Sequence, residues 1–170
     1  MKPAALLALV AAAAPWVWGV GASNAVVPPA PRCRTADLHV YLSRFGAAAG
    51  TVAGDVVFRN HTGHLCFVYG YAGFGLEDAH HRVKPSRVTW GSTVARRDPD
   101  PHQVVLSPGR AAFANLSYSD VPHGHEHCRP SAWLEVTPPD ERTHRLVRFG
   151  GLVCDHGHLT ALSGTRTPRG

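Results

Sequence analysis

The sequence predicts an all-β fold, an immunoglobulin-like antiparallel β-sandwich stapled by two disulfides. Three observations support this fold class. After residue 36 the apolar residues alternate with polar ones in short segments, turn-forming residues close these segments, and no stretch keeps the period of a helix. We count about seven to nine short strands, a number typical of such a sandwich, while a barrel stays an alternative.

The first strands are two alternating segments joined by a Gly-rich connection. Side chains two residues apart on a strand point to the same face. Three apolar residues share a face in "DLHVYLSRF", and three more do so in "VAGDVVFRN". In order, these residues are Leu38, Val40, Leu42, Val52, Val56 and Phe58. The segment "NHTGH" then turns the chain into "LCFVYGY".

Turn residues mark the later strands. In "VVLSPGRAAFANLSY" residues 107–110 are Ser-Pro-Gly-Arg. Proline at the second position and glycine at the third favour a type II turn between two strands. Further on, "SAWLEVT" and "RLVRFGGLV" flank "PPDERTH", which predicts a β-hairpin.

Residues 1–25 predict a secretory signal peptide. Lys2 gives a short positive start, an apolar run follows, and "SNA" at 23–25 offers small residues for cleavage. A membrane anchor is the alternative, but Pro15 interrupts the run, which is shorter than the roughly 20 apolar residues that span a bilayer. Because "PAPR" precedes Cys33 where a lipobox would stand, no lipid anchor is expected. We therefore expect a secreted, extracellular protein without stable membrane insertion.

The remaining residues fit one domain. We divide them into a Pro-rich linker at 26–32, a β-sandwich domain at 33–162 and a flexible C-terminal tail at 163–170. The formal net charge is +5, but it is spread over scattered arginines. Because the sequence has no Lys/Arg run and no basic-aromatic stripe, a nucleic-acid partner is not expected.

Four cysteines in an exported chain predict two disulfides. The sequence has no Cys-x-x-Cys pair, which argues against a zinc site built from thiolates. Sequence alone allows three pairings. Because the strands of a hairpin return to the end where they begin, we pair Cys128 with Cys154. The same reasoning applied to the first two strands pairs Cys33 with Cys66.

Five segments follow one another in a distinctive order: "CRTADLHV", "NHTGHLCFVYGYAG", "VVLSPGRAAFANLSY", "HCRPSAWLEVTPPD" and "GGLVC". From about Cys33 to Leu162 the chain thus resembles the exported actinobacterial family called domain of unknown function four-two-three-two. The resemblance implies an extracytoplasmic β-sandwich with no established activity and no catalytic residues to carry over. This chain departs from the many members with a lipobox, and its histidine clusters are not part of the family pattern.

The sequence after the signal contains no recognisable catalytic motif. It has no Gly-x-Ser-x-Gly elbow, no phosphate-binding Gly loop and no Cys-His nucleophile pair, so we expect no enzyme activity. In "GLEDAHH", Glu77 and Asp78 stand beside His80 and His81 and could form an acid-base group. A solvated turn is the simpler interpretation.

Four large aromatic residues are interpreted as core residues, namely Trp90, Trp133, Phe58 and Phe113. A carbohydrate platform at an exposed tryptophan is the alternative. Asn60 and Asn115 begin the sequons "NHT" and "NLS", which matter only in a host that glycosylates proteins.

The segment "VPHGHEHC" suggests a metal site. Extended backbone would project alternate histidines to one face, and a bond between Cys128 and Cys154 would draw "CDHGH" alongside. The candidate ligands are His123, His125, His127, His156 and His158, with Asp155 nearby. Imidazole nitrogens suit zinc or copper. The alternative, which we favour, is a solvated loop that binds no metal.

Two classes of function follow from these patterns. We expect a secreted, non-catalytic binding or structural module of the bacterial cell envelope, with an unknown protein or glycan as partner and no cofactor. The alternative is an extracytoplasmic zinc- or copper-binding protein that uses the histidine segments around Cys128 and Cys154. An exposed apolar groove would favour the first class, and clustered imidazoles with an open position would favour the second.

Overall fold

The computed structural model describes residues 29–122, 124, 127–154 and 156–166. The predicted signal peptide, the start of the linker, His123, His125 and residues 167–170 lie outside this part of the chain. The described residues form one short 3-10 turn (η1) and eleven strands: η1 Thr35–Asp37, β1 Leu38–Ala48, β2 Thr51–Asn60, β3 Cys66–Tyr69, β4 Gly73–Glu77, β5 Val83–Lys84, β6 Arg87–Trp90, β7 Gln103–Leu106, β8 Ala111–Ser119, β9 Cys128–Thr137, β10 Arg145–Cys154 and β11 His156–Leu159. Within these residues no helix is long and apolar enough to cross a membrane.

The strands form two large sheets and one small one. Neighbouring strands follow the order β1-β2-β8-β11-β6 in a five-stranded sheet, β10-β9-β4-β5 in a four-stranded sheet, and β3-β7 in a two-stranded pair. These neighbours are antiparallel except β11 and β6, which run parallel. The all-β prediction is confirmed, and the immunoglobulin-like subtype stays a prediction.

The core contains alternate apolar residues from both large sheets. Its buried members on β1, β2, β4 and β9 include Leu38, Val40, Val56, Phe58, Leu76, Leu134 and Val136. Leu42 and Val52 pack against this cluster from partly buried positions, so the predicted apolar faces of the first two strands do point into the core. Strand β2 is not buried on one side only, because Val57 on its other face is also fully buried. Burying a side chain such as that of Phe58 stabilises the fold by about 2 to 3 kcal/mol.

The structure has more strands than the roughly seven to nine that turn spacing predicts. The missed strands are short, since β5 has two residues and β6 and β11 have four each. In β11, buried Gly157 and Leu159 alternate with exposed His156 and His158. Four residues give only two alternations, which is too few to distinguish a strand from a loop.

Two disulfides join Cys33 to Cys66 and Cys128 to Cys154, the pairing that the strand layout predicted. Cys128 and Cys154 lie directly opposite each other in the β9–β10 hairpin. Cys33 precedes β1, and its backbone N–H donates to the Phe67 carbonyl on β3 at 2.8 Å. Because structural disulfides persist in oxidising compartments, the domain belongs outside the reducing cytoplasm.

Residues 107–110 form the predicted type II turn. The Arg110 N–H donates to the Ser107 carbonyl at 2.9 Å, and Gly109 has φ +76°. Glycine reaches this conformation without a Cβ clash. The turn leads from β7 in the small sheet to β8 in the five-stranded sheet, so it helps to fix the small sheet beside the large one.

The domain continues past the boundary predicted at 162. Ser163 is buried and exchanges two backbone hydrogen bonds of 2.9 Å with Phe113. The Arg166 guanidinium lies 4.3 Å from the centroid of the Phe113 ring, and its Nε donates to Asp55 Oδ2 at 3.0 Å. These contacts hold Ser163 and Arg166 against the domain, whereas residues 167–170 of the tail predicted at 163–170 lie outside the described residues, and the tail as a whole stays a prediction.

Thr35 connects the chain before β1 to the loop between β9 and β10. Its backbone N–H donates to the Glu141 carboxylate at 2.8 Å. Its hydroxyl lies 2.8 Å from the same carboxylate and 3.0 Å from the Thr143 carbonyl. The Thr35 carbonyl accepts from Arg145 Nε at 3.2 Å. Since Thr35 is buried, these bonds are shielded from water and fix the loop against β1.

Both sequon asparagines are buried and organise the backbone around them. Asn60 Nδ2 donates to two backbone carbonyls at 2.8 and 2.9 Å, and its Oδ1 accepts from the Thr62 N–H at 2.9 Å. Asn115 Nδ2 donates to the Gly54 carbonyl at 3.0 Å, and its Oδ1 accepts from the Thr93 hydroxyl at 2.6 Å. Each amide thus satisfies backbone groups at the end of a strand or beside one.

We expect Asn60→Ala to lower the free energy of unfolding by about 3 kcal/mol, because two carbonyls and an N–H lose their partner at a buried position. Urea denaturation of the oxidised protein measures the change. His64→Ala is the control, since this exposed side chain lies in the same loop, and it should alter stability by no more than about 0.5 kcal/mol. Equal effects of the two substitutions would contradict the role assigned to the Asn60 amide.

Replacing Cys33 and Cys66 together by alanine should destabilise the domain by about 3 to 4 kcal/mol on the chain-entropy account, because the bond closes a long loop of the unfolded chain. The measurement is denaturant unfolding without reductant. A double variant as stable as the parent protein would show that the other contacts of residues 31–34 already fix this end of the chain.

Candidate metal centre

The histidines predicted as ligands are only partly in the described residues. His123 and His125 lie outside them. His127 is exposed just before β9, while His156 and His158 are exposed on β11 and share one face because they are two residues apart. In the described part of the chain these three histidines do not join a group of three converging donors. The zinc or copper site at the five histidines stays a prediction.

A different group of donors converges at the four-stranded sheet, formed by Glu77, Glu135 and His144. Glu77 ends β4 and Glu135 lies in the neighbouring β9. The register sets Glu77 opposite Trp133 and Gly75 opposite Glu135. Because the residues before and after Glu135 are buried in the core, strand alternation directs the Glu135 side chain to the outer face.

His144 reaches this face from the loop between β9 and β10. Its two chain neighbours are both bonded to Thr35, since the Thr35 hydroxyl lies 3.0 Å from the Thr143 carbonyl and Arg145 Nε donates to the Thr35 carbonyl at 3.2 Å. These bonds fix the end of the loop on either side of His144. The His144 Nε2 atom lies 3.5 Å from Glu135 Oε1.

One ligand atom from each of the three residues lies within 4.8 Å of the other two. Exposure of the side chains increases outward, from 7% for Glu77 and 22% for Glu135 to 43% for His144. Zinc bonds of about 2.0 to 2.2 Å in a tetrahedral site place ligand atoms about 3.3 to 3.6 Å apart. The donors must therefore approach by up to about 1.5 Å, and the exposed His144 side chain has the freedom to move.

Gly75 leaves room for the Glu135 carboxylate. A Cβ atom at position 75 would overlap Glu135 Oε2, so the missing side chain lets Glu135 lie across β4 toward Glu77. The segment "GFGLE" therefore contributes both a candidate donor, Glu77, and the gap that the Glu135 carboxylate occupies.

The carboxyl groups of Glu77 and Glu135 lie beside each other, with one oxygen of each within 4.8 Å of the other. Burial raises the pKa of Glu135, and the hydrogen bond and negative charge of Glu77 raise it further, while nearby His144 lowers it. Two carboxylates this close cannot both ionise at low cost unless positive charge lies between them. A divalent cation bound between the two carboxyl groups would compensate their negative charge.

His81 and Trp133 support the Glu77 carboxylate. His81 Nδ1 lies 2.8 Å from Glu77 Oε2, and the His81 and Trp133 rings stack with centroids 5.3 Å apart. The His81 backbone has φ +60°, a left-handed conformation that is uncommon for residues other than glycine and is enriched at functional sites. Arg148 lies 4.9 Å from the Trp133 ring centroid. Partners of this kind hold a ligand carboxylate in one orientation.

Of the four residues considered as an acid-base group, Glu77 and His81 contact each other through their side chains. Asp78 instead organises the turn, because its carboxylate accepts from two backbone N–H groups at 2.8 and 3.0 Å and lies 3.0 Å from Lys84 Nζ. The hydrogen bond from the Arg82 backbone is the main reason why the pKa of Asp78 falls well below its usual range. The turn interpretation is thus correct for Asp78.

The two tryptophans do not fill the core, contrary to the interpretation from sequence. Trp90 is 61% exposed and stacks on Tyr71 with ring centroids 5.2 Å apart. Trp133 is partly buried on the outer face of the four-stranded sheet. Phe58 is fully buried as predicted, and Phe113 is partly buried. An indole ring can lie at a surface because it stacks well and carries a polar N–H.

Comparison with known proteins supports the resemblance that the sequence motifs indicate. No curated protein and no solved structure gives a significant match to the chain. One family model matches residues 33–163, a span that includes all four cysteines and the three converging donors. The chain therefore belongs to the family described as domain of unknown function DUF4232.

Proposed function

We propose that this chain is a secreted, non-catalytic binding module of the cell envelope that holds one divalent transition-metal ion at Glu77, Glu135 and His144. The observation that carries the proposal is the convergence of two carboxylates and one imidazole within 4.8 Å. Oxygen and nitrogen donors in this mixture suit zinc and its neighbours among the first-row metals. Zinc is the first choice because it imposes no electronic preference on the geometry.

The charge balance of the cluster supports a metal over a purely structural carboxyl pair. Glu77 is almost fully buried beside a second carboxyl group, and such a pair costs stability when no cation compensates it. Gly75 and His81 nevertheless favour the positions in which the two carboxyl groups face each other. An arrangement that is unfavourable by itself and becomes favourable with a bound cation is typical of a binding site.

Two further observations support the rest of the proposal. The signal-like residues 1–25 and the two disulfides are consistent with export. The sequence after the signal lacks recognisable nucleophile motifs, so the ion is proposed to be held for binding, structure or delivery and not to act on a substrate.

Calorimetric titration of metal-free, tag-free protein with zinc should show one ion bound per chain at micromolar concentration or below. We expect Glu77→Gln with Glu135→Gln to remove saturable binding, because the amide oxygens that remain are poor zinc ligands. Gly75→Ala should weaken binding by about tenfold, since its Cβ displaces the Glu135 carboxylate.

The matched control is a triple variant that changes His127, His156 and His158 to alanine, and it should bind zinc as the parent protein does. Binding that survives in the glutamine double variant but is lost in this triple variant would assign the ion to the histidine segments instead. Absence of saturable binding to the parent protein would contradict the metal function itself.

Glu135→Gln should raise the melting temperature of the metal-free protein at pH 7. The pKa of Glu135 is raised from 4.5 in the folded protein, so the folded state holds this proton more tightly than the unfolded chain does. Stability is therefore lost as the pH rises through the raised pKa. Glutamine removes this loss because its amide stays neutral beside Glu77 at any pH.

Scanning calorimetry at pH 7 and pH 3.5 tests the direction of this change. The difference in melting temperature between variant and parent should vanish at pH 3.5, where the Glu135 carboxyl is protonated in both the folded and the unfolded protein. Asp140→Asn is the control, because it removes one negative charge from an exposed pair with Arg32, and such pairs contribute little. Zinc should raise the melting temperature of the parent and of this control, and leave Glu135→Gln unchanged. A lower melting temperature for Glu135→Gln at pH 7 would contradict the raised pKa of Glu135.

A further inference from the structure

A basic cleft lies where the edge strands of the two large sheets approach each other. It has a volume of about 760 Å³ and is lined by residues of β1 and β2, by the loop after β2, and by the start of β10. Its floor includes Leu38 and Val40. Volumes of this size are typical of pockets for small molecules.

The charged side chains that line the cleft are Arg59 and Arg145, and the imidazoles of His39 and His61 line it as well. Arg59 Nε donates to the Gly109 carbonyl at 3.1 Å, while Arg145 donates to the carbonyls of Thr35 and Ala36 at 3.2 and 3.4 Å. In the part of the chain that the structure describes, neither arginine forms an ion pair. Each guanidinium has five N–H donors, so most of them stay available to a ligand.

Neutral backbone carbonyls hold these basic groups in position. His61 Nε2 donates to the Ala36 carbonyl at 2.8 Å, the same carbonyl that accepts from Arg145. The His61 backbone N–H donates to the Asp37 carbonyl at 3.1 Å, and the buried amide of Asn60 fixes the start of this loop. Because these side chains are already held by hydrogen bonds, a ligand would lose little affinity to ordering them.

We propose that this cleft binds the phosphate group of an anionic ligand of small-molecule size. A phosphate monoester carries up to two negative charges and three terminal oxygens, which matches two guanidinium groups and a histidine better than one carboxylate does. A soluble phosphate ester and a lipid headgroup present the same chemistry. The inference is independent of the metal centre, since none of the three metal donors lines the cleft.

Glycerol 3-phosphate is the probe for a soluble ester, titrated by calorimetry into metal-free protein at low ionic strength. We expect saturable binding that weakens with added salt, because exposed charge pairs are screened. Arg59→Gln should weaken it by about tenfold, and Arg59→Lys should retain part of the affinity because it keeps the charge but loses the planar donor fork. Circular dichroism of both variants verifies that they are folded.

Arg87→Gln is the matched control. It removes the same charge from an exposed position on β6, at the opposite edge of the five-stranded sheet, and should change affinity less than about twofold. Glu135→Gln should bind glycerol 3-phosphate like the parent, which separates this inference from the metal proposal. Sedimentation with phosphatidylglycerol vesicles forms the second arm and reports on the lipid source.

Arg59-dependent binding in either arm supports the proposal and identifies the source as soluble ester, lipid headgroup or both. Three results would overturn it: no saturable binding in either arm at millimolar probe, an equal loss in Arg59→Gln and Arg87→Gln, or tighter binding of malonate than of glycerol 3-phosphate. The last result would assign the cleft to carboxylates.

Discussion

The hydrogen bonds of Thr35 connect the five-stranded sheet to the four-stranded sheet, next to both the proposed metal centre and the basic cleft. Thr35 leads into β1, the edge of the five-stranded sheet, and its partners precede or begin β10, the edge of the four-stranded sheet. Thr143 and Arg145 are bonded to Thr35, and His144 stands between them. These bonds fix the loop that carries His144 and the start of β10, which lines the basic cleft. The stability of the fold and the geometry of both proposed sites thus rest on one small group of polar contacts.

The long strands, in which apolar and polar residues alternate over many positions, could be predicted from the sequence. Strands β1, β2, β9 and β10 have ten or more residues each, long enough for the two-residue period to identify their buried faces. The hairpin of β9 and β10 then determined one disulfide pair, because its strands begin and end together. The short strands at sheet edges carry no such pattern. Their places are determined by neighbours that are remote in sequence, as in the parallel pairing of β11 with β6.

The donor cluster was predictable only in part, because strand register creates it. Glu77 and His81 lie close together in the chain, and their proximity could be noticed from the sequence. Glu135 gives no local signal, since a polar residue in an alternating strand normally faces solvent. Only the pairing of β4 with β9 sets Gly75, which has no side chain, opposite Glu135 and so leaves room for the Glu135 carboxylate. His144 belongs to a loop, and a chain segment remote in sequence fixes that loop. A single sequence does not reveal register, so these residues could not be assembled in advance.

The burial of Asn60 and Asn115 limits the hosts in which the folded protein can be made. Eukaryotic secretory cells attach oligosaccharide to the side-chain nitrogen of asparagine in sequons such as "NHT" and "NLS". In this domain that same nitrogen donates to backbone carbonyls in the interior. A glycan at either position is incompatible with the native structure, so a chain modified before it folds is trapped outside that structure. In such cells the yield of native protein depends on whether the domain folds before the glycosyl-transferring enzyme modifies these asparagines.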